Sequence, residues 1–261
     1  MIERQLPRRE REPYDEVPPV LERVLGSPAG DEEAWRELWH LLATEGTTVS
    51  AASFAALPYL GDLARSGETV AVDRALELAG AIVAGVLQDH GADELVREVA
   101  PVIAELRDVL ARRIGDGDLP PTLAVAFFRV DLAFAGATGW SMAEYDFDDG
   151  FYSVSCPHCD LPVTVAIGDY GRYSAYRDWR EGDVRRHPLK PCSAERLGSL
   201  GRRMHATAGT LGLLQIAEGL TYLFGQAECP DCASTFVVAD RYAADNEPHH
   251  SSSGPVPIGG W

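Results

Sequence analysis

The sequence predicts a mainly α chain, in which stacked pairs of helices precede a small β-hairpin module with a helical insertion. Three observations lead there. Apolar residues recur at three- and four-residue spacing between Asp31 and Phe134, the period of helices with one buried face. A proline-centred segment recurs at an offset of 43 residues. Beyond Trp140, β-branched and aromatic runs flank two Cys-x-x-Cys pairs.

Length and composition bound the reading. A chain of 261 residues makes one or two domains and can bury a sizeable core. At 46% hydrophobic and 24% charged, wholesale disorder is excluded. No run of about 18 apolar residues lacks a charge, which excludes a membrane-spanning helix. The first ten residues lack the apolar stretch of a secretory signal, so a cytoplasmic protein is expected. The net charge of −17 repels phosphate backbones and disfavours general nucleic-acid binding. Acidity of this kind suits a basic partner or serves solubility alone. Lys190 is the lone lysine among 23 bases, which reads as a coding bias of a GC-rich genome.

Residues 1–30 are charged and carry five prolines, so they read as an irregular lead-in with a short helix around Val20–Leu25. Residues 31–141 read as the helical domain. Asp31 can cap a first helix, Glu32 and Glu33 suit its first turn, and Trp35, Leu38, Trp39 and Leu42 repeat on one face until Gly46. Ser50 can cap a second helix that carries Phe54, Leu57, Leu60 and Leu63 and ends at Gly67. Further helices are expected over 70–88, 93–114 and 121–134, with a turn over 115–118 between the last two. Ala56–Leu63 aligns with Val99–Leu106: Pro58 falls on Pro101, Leu60 on Ile103 and Leu63 on Leu106. An offset of 43 lies in the ~40–47 range of HEAT-type helical repeats, whose pairs stack to bury their apolar faces. The stack is therefore expected to be HEAT-like, with an ordinary helical bundle as the alternative.

Residues 142–245 read as a second module, and 246–261, rich in Pro, Ser and Gly, as a disordered tail. An acidic turn over 145–150 leads into a hairpin around Cys156-Pro-His-Cys159. Residues 169–192 read as irregular. Ser193 to Phe224 reads as helical, broken near Gly209 or Gly212. A second turn and strand follow at Cys229-Pro-Asp-Cys232 and Thr235–Ala239.

The five cysteines are Cys156, Cys159, Cys192, Cys229 and Cys232, and four of them form the two pairs. A Cys-x-x-Cys turn brings two thiolates near one tetrahedral ion, and two such turns supply four sulfur ligands. Each turn here leads into a strand, as in a zinc ribbon. The expected ligands of one structural Zn2+ are therefore Cys156, Cys159, Cys229 and Cys232. The departure is the 69-residue gap between Cys159 and Cys229, against the usual ~15–20. Closure cost grows only logarithmically with loop length, so a folded insertion accommodates it. Two rivals remain. One is thiol–disulfide exchange at Cys156-Pro-His-Cys159, a motif shared with strongly oxidising oxidoreductases; it requires a helix after the motif, where this sequence has a strand-forming run. The other is two unrelated pairs of free thiols.

Cys192 reads as a buried bystander, His158 and Asp231 as exposed turn residues, His187 as part of a solvated loop, and His249 and His250 as tail residues. Residues 169–203 hold nine bases and five acids, interleaved with Tyr170, Tyr173, Tyr176 and Trp179. Bases and aromatics together can bind single-stranded nucleic acid. An internal match to the acidic chain is the preferred reading. Trp35 and Trp39 are expected in the core; Glu32, Glu33, Asp148 and Asp149 in solvent. No P-loop, nucleotide-binding glycine motif, nucleophile elbow or zinc-protease motif occurs, so no catalytic residue is singled out.

With these residues in hand, the chain resembles a loosely defined group of actinobacterial helical proteins that end in a zinc ribbon. The likeness rests on Ala34–Leu42, Ala51–Leu60 and Leu220–Cys232 and covers about half the chain. It implies no activity. Similar stacked-helix modules serve as protein-binding scaffolds and as immunity proteins against toxins, a fold-level analogy. The expected function is a zinc-stabilised scaffold that binds another protein. The alternatives are a nucleic-acid-associated factor using the ribbon and the basic insertion, a thiol–disulfide oxidoreductase, and an enzyme whose site is assembled from distant residues.

Overall fold

The computed structural model describes residues 12–43, 49–85, 92–117, 119–142, 147, 150–176 and 185–246. Expectations for residues 1–11, Gly46, Asp148, Asp149, Arg177, Trp179, Arg180, His249, His250 and the rest of the tail lie outside them. The described chain is mainly helical, with small antiparallel sheets towards its C-terminal end. No helix among the described residues is long and apolar enough to cross a membrane.

The helix expected around Val20–Leu25 is present but extends back to Glu12, into the stretch read as irregular. Helix α1 (Glu12–Gly26) contains Pro18 and Pro19. Val17, Val20, Leu21 and Val24 are buried, and packing on α2 (Glu32–Leu42) outweighs the hydrogen bonds the prolines remove. The Asp31 carboxylate accepts from the Ala34 amide at 2.8 Å, the expected cap, worth about 1 kcal/mol. Helix α3 (Ala51–Ser66) starts at Ser50, whose amide donates to Ser53 Oγ at 3.0 Å. Ser53 Oγ donates in turn to the Leu42 carbonyl at 2.6 Å, tying α3 to the end of α2. Gly67 ends α3 as expected, its amide bonded to the Leu63 carbonyl.

Helices α4 (Thr69–Ala84), α5 (Ala92–Gly115) and α6 (Pro121–Phe134) follow, the last two close to the expected bounds; α4 ends before the expected 88, and residues 86–88 lie outside the described ones. α3 packs on α4 and on α5, and α4 packs on α6. Two glycines permit these contacts: a Cβ at Gly80 would lie 2.6 Å from Val130 Cγ2, and one at Gly61 would lie 3.3 Å from Val102 Cγ1. Arg65 pairs with Glu105 between α3 and α5. Arg113 pairs with Asp73 through Nε at 2.8 Å and Nη2 at 3.1 Å, between α5 and α4.

After the short helix α7 (Thr138–Ser141), strands β1 (Phe151–Ser155), β2 (Pro162–Gly168), β3 (Gly171–Tyr176) and β4 (His187–Pro188) form one antiparallel sheet in sequence order. The stretch read as irregular thus contributes two strands. Val163 pairs with Val154 on one side and Tyr176 on the other. A 3-10 turn (Ala194–Arg196) leads to α8 (Ser199–Thr210) and α9 (Leu214–Leu223), separated at Gly212 with φ +72°. Strands β5 (Gln226–Glu228) and β6 (Thr235–Val237) form a second hairpin. Lys190 and Gln226 exchange two backbone hydrogen bonds of 2.9 Å, joining the two sheets. The last strand stops at Val237, short of the expected Ala239. The chain turns into α10 (Val238–Asn246), with Val238, Ala239 and Tyr242 buried.

Among the described residues two large apolar cores result, beside a small cluster of Ala166, Tyr173 and Ala175. One joins α1 to α6 and is mostly aliphatic. The other joins α6 to the strands and later helices and contains Trp140, Tyr152 and Tyr242. Trp140 lies 4.9 Å from Tyr242 and 5.9 Å from Phe224, centroid to centroid. Helix α6 serves both: Phe127 faces the first core and Phe128 the second. Asp131, buried on α6, accepts from Arg203 and, at 3.1 Å, from Thr207 on α8.

Candidate metal centre

Cys156 to Cys159 form the tip of the β1–β2 hairpin, and Cys229 to Cys232 the tip of β5–β6. The two turns are built alike. The Cys156 amide donates to the Leu161 carbonyl at 2.8 Å, and the Cys229 amide to the Ser234 carbonyl at 2.8 Å. The Asp160 amide returns to the Cys156 carbonyl, and the Ala233 amide to the Cys229 carbonyl. Asp160 and Ala233 both have φ +56°. This left-handed conformation costs an L residue about 1–2 kcal/mol, less for Asp than for Ala. Neither position carries the glycine that would have marked the turn in the sequence.

The fold brings the four predicted cysteines together, with all sulfurs within 4.8 Å of one another. Cys156 Sγ lies 3.7 Å from Cys232 Sγ, and Cys159 Sγ lies 3.7 Å from Cys229 Sγ. A tetrahedron with zinc–sulfur arms of about 2.3 Å has edges of about 3.8 Å. The cluster is therefore close enough to hold a metal ion, and its size and donor set fit zinc. Cys156 and Cys229 are buried, whereas Cys159 and Cys232 are exposed.

The surrounding donors favour thiolate at Cys156 and Cys232. Burial pushes the Cys156 thiol up, but the His158 and Cys159 amides and the Ser234 hydroxyl outweigh it and bring it down to about 6. The Ser234 hydroxyl, 2.9 Å from Cys232 Sγ, and the Ser234 amide lower Cys232. The Leu161 amide lowers Cys159, but burial and three neighbouring sulfurs drive it up to about 12. Burial raises Cys229 against the Asp231 and Cys232 amides. Four sulfurs in this space cannot all ionise without a cation, and a cation removes that conflict.

Other elements hold the turns in place. The Asp245 carboxylate on α10 accepts from the Ser155 amide at 2.7 Å, one residue before Cys156. Ser174 Oγ donates to the Glu228 carbonyl at 2.7 Å, one residue before Cys229. His187 Nδ1 lies 2.9 Å from Glu228 Oε1. His187 is thus buried on β4, not in a solvated loop as expected, and its Nε2 finds no hydrogen-bond partner among the described residues. Sequence reasoning missed Ser234, Glu228 and Asp245, whose roles depend on contacts between distant segments.

His158 and Asp231 are exposed, as expected. Cys192 is half-buried and apart from the cluster; burial raises its thiol, and its amide donates to the Thr221 carbonyl at 2.9 Å. In the basic stretch, Arg172 Nη2 donates to Glu218 at 2.8 Å and its guanidinium lies over the Tyr222 ring. Arg186 lies over Tyr173, and Arg203 pairs with Asp131. These three cations therefore have internal partners. Cys159 leads into β2, so the first pair does not sit at a helix N-terminus. Trp35 is buried, its Nε1 donating to the Pro28 carbonyl at 2.8 Å, and Trp39 packs half-buried against the same core. Glu32 and Glu33 are exposed and pair with Arg74 and Arg36.

No protein-family model, curated protein or solved structure matches the chain.

Proposed function

We propose that the chain is a zinc-stabilised protein-binding scaffold that acts in the cytoplasm without enzymatic activity of its own. The observation carrying this reading is the closed sulfur cluster. Four thiolates at tetrahedral spacing fill the coordination sphere of one zinc ion and leave no position for substrate or activated water. In this reading Cys156, Cys159, Cys229 and Cys232 are the ligands, and the metal holds the C-terminal half together.

The binding surface is assigned to the helices before it. The contacts of α3 with α5 and of α4 with α6 support HEAT-like stacking, as does the recurrence of Pro58 and Pro101 inside α3 and α5. Such stacks offer an extended face to a partner. The charge of −17 favours a basic partner, as an immunity-type protein against a basic toxin would have.

The test is capture of a partner from the source cell, followed by binding of the purified partner to wild type and to Tyr59→Asp. Tyr59 is an exposed ring on α3. A binding loss of tenfold or more in Tyr59→Asp, with unchanged unfolding, supports the reading. A partner whose binding is unchanged in that variant but lost in Leu214→Asp, on α9, would move the surface to the other half. Failure of any purified candidate to bind wild type would remove the scaffold role.

A further inference from the structure

The two exposed sulfurs belong to different turns, and each has the other turn's buried sulfur beside it. Cys232 is exposed and lies 3.7 Å from buried Cys156; Cys159 is exposed and lies 3.7 Å from buried Cys229. An oxidant arriving from solvent meets Cys159 and Cys232 first. The nearby buried sulfurs are then placed to complete disulfides between the turns.

We propose that the cluster is a site of hydroperoxide oxidation at which two cross-turn disulfides, Cys156–Cys232 and Cys159–Cys229, replace the metal as the staple of the C-terminal half. This rests on the four-thiolate zinc reading above. In the first step the exposed thiolate of Cys232 attacks a hydroperoxide oxygen. The O–O bond breaks, a sulfenic acid forms and hydroxide leaves. Cys156 thiolate then attacks the Cys232 sulfur, and the sulfenic oxygen departs as hydroxide. Cys159 and Cys229 react in the same way with a second peroxide. Four thiolates, two hydrogen peroxide molecules and four protons give two disulfides and four waters, and Zn2+ is released because its thiolate ligands are consumed.

The geometry admits this pairing: all four sulfurs lie within 4.8 Å of one another, and each cross-turn pair is 3.7 Å apart. Each sulfur pair must close from 3.7 Å to about 2.05 Å, a shift of the order that side-chain rotation supplies. Ser234 Oγ lies 2.9 Å from Cys232 Sγ and 3.6 Å from Cys156 Sγ, so one hydroxyl contacts both reacting sulfurs. Cys192 is apart from the cluster. The consequence separates oxidation from chelation: chelation in reductant removes the staple, whereas peroxide exchanges one staple for another.

The experiment treats the metal-loaded full chain, in a Cys192→Ser background, with two equivalents of hydrogen peroxide. Released zinc is counted with a colorimetric chelator, disulfides are mapped by non-reducing peptide mass spectrometry, and limited proteolysis follows the C-terminal half. The expected result is one zinc released per chain, loss of the mass of four hydrogens, cross-turn peptides only, and retained protease protection that disappears when reductant and chelator are added together. Within-turn disulfides, Cys156–Cys159 and Cys229–Cys232, would overturn the proposal. So would sulfinic acids in place of disulfides, or loss of protection on oxidation. Zinc content is measured before peroxide is added, so a preparation without zinc counts against the metal reading itself. The disulfide map of that same preparation still decides the pairing.

Discussion

The two halves of the molecule bury their residues by different means. Between α1 and α6, helices of 11 to 24 residues present long aliphatic faces, and Leu38, Leu57, Leu60, Leu76, Leu78 and Leu106 are completely buried. Each such side chain contributes about 1.5–3 kcal/mol, enough in sum for helices to hold one another. Beyond α6 the strands have two to seven residues, and β5–β6 is a two-stranded hairpin of three residues a side. A hairpin of that size is not stable by itself. Its core mixes aromatic rings with the sulfurs of Cys156 and Cys229. Long helices can stabilise themselves by area alone; short strands need a staple.

The sharpest way to break the comparison is to remove the metal. Zinc at such sites contributes about 10–16 kcal/mol in small peptides, so chelation in reductant, or Cys229→Ser, is expected to unfold the C-terminal half. Hydrogen exchange should accelerate across β1–β2 and β5–β6 while α3, α4 and the buried part of α5 stay protected. Uniform acceleration through all helices would show that the halves do not separate.

Phe127 and Phe128 split the same contrast at adjacent positions of α6, since both are completely buried but in different cores. Each change to Ala should cost about 3–5 kcal/mol. Only Phe128→Ala should speed zinc transfer to a competing chelator. Equal effects of the two on zinc transfer would mean the cores act as one.

A smaller gain is expected at the second turn. Ala233→Gly relieves the left-handed conformation and should stabilise the chain by about 1 kcal/mol in urea unfolding, more than Asp160→Gly, because Asp tolerates that conformation better. The smallest effect belongs to the helical half. Burial of Glu77, then the neighbouring Asp73 charge, raises its carboxyl above the usual range, against Arg74. A raised acid contributes stability that is fully present below its unfolded value and lost as pH rises through the folded one. Glu77→Gln should therefore be more stable than wild type at pH 7, with the gap narrowing on acidification towards pH 4. A gap independent of pH would show that the carboxyl is not the cause.

Much of the helical half was legible because its signals are local. Asp31, Ser50, Gly67 and Pro121 mark helix ends at the backbone itself, and apolar spacing marks the buried faces. Of α1, only the part around Val20–Leu25 was legible, because Pro18 and Pro19 argue locally against the turns before it, which tertiary packing stabilises. β3 and β4 pair across the 177–186 stretch, and α10 replaces the end of an expected strand because Val238, Ala239 and Tyr242 find a core on one helical face. At the candidate site the two Cys-x-x-Cys turns were readable from spacing. That a folded insertion closes the 69-residue gap was expected; how it does so was not legible, since it depends on the Lys190–Gln226 bridge and on Glu228, held by Ser174 and His187.

The most direct measurement is the metal content of the native protein, by elemental analysis beside titration with a thiol reagent. The result expected is about one zinc per chain, with four thiols protected until a chelator is added and Cys192 as the remaining thiol. No metal, together with a reducible Cys156–Cys159 disulfide, would contradict it and turn the first Cys-x-x-Cys into a redox centre.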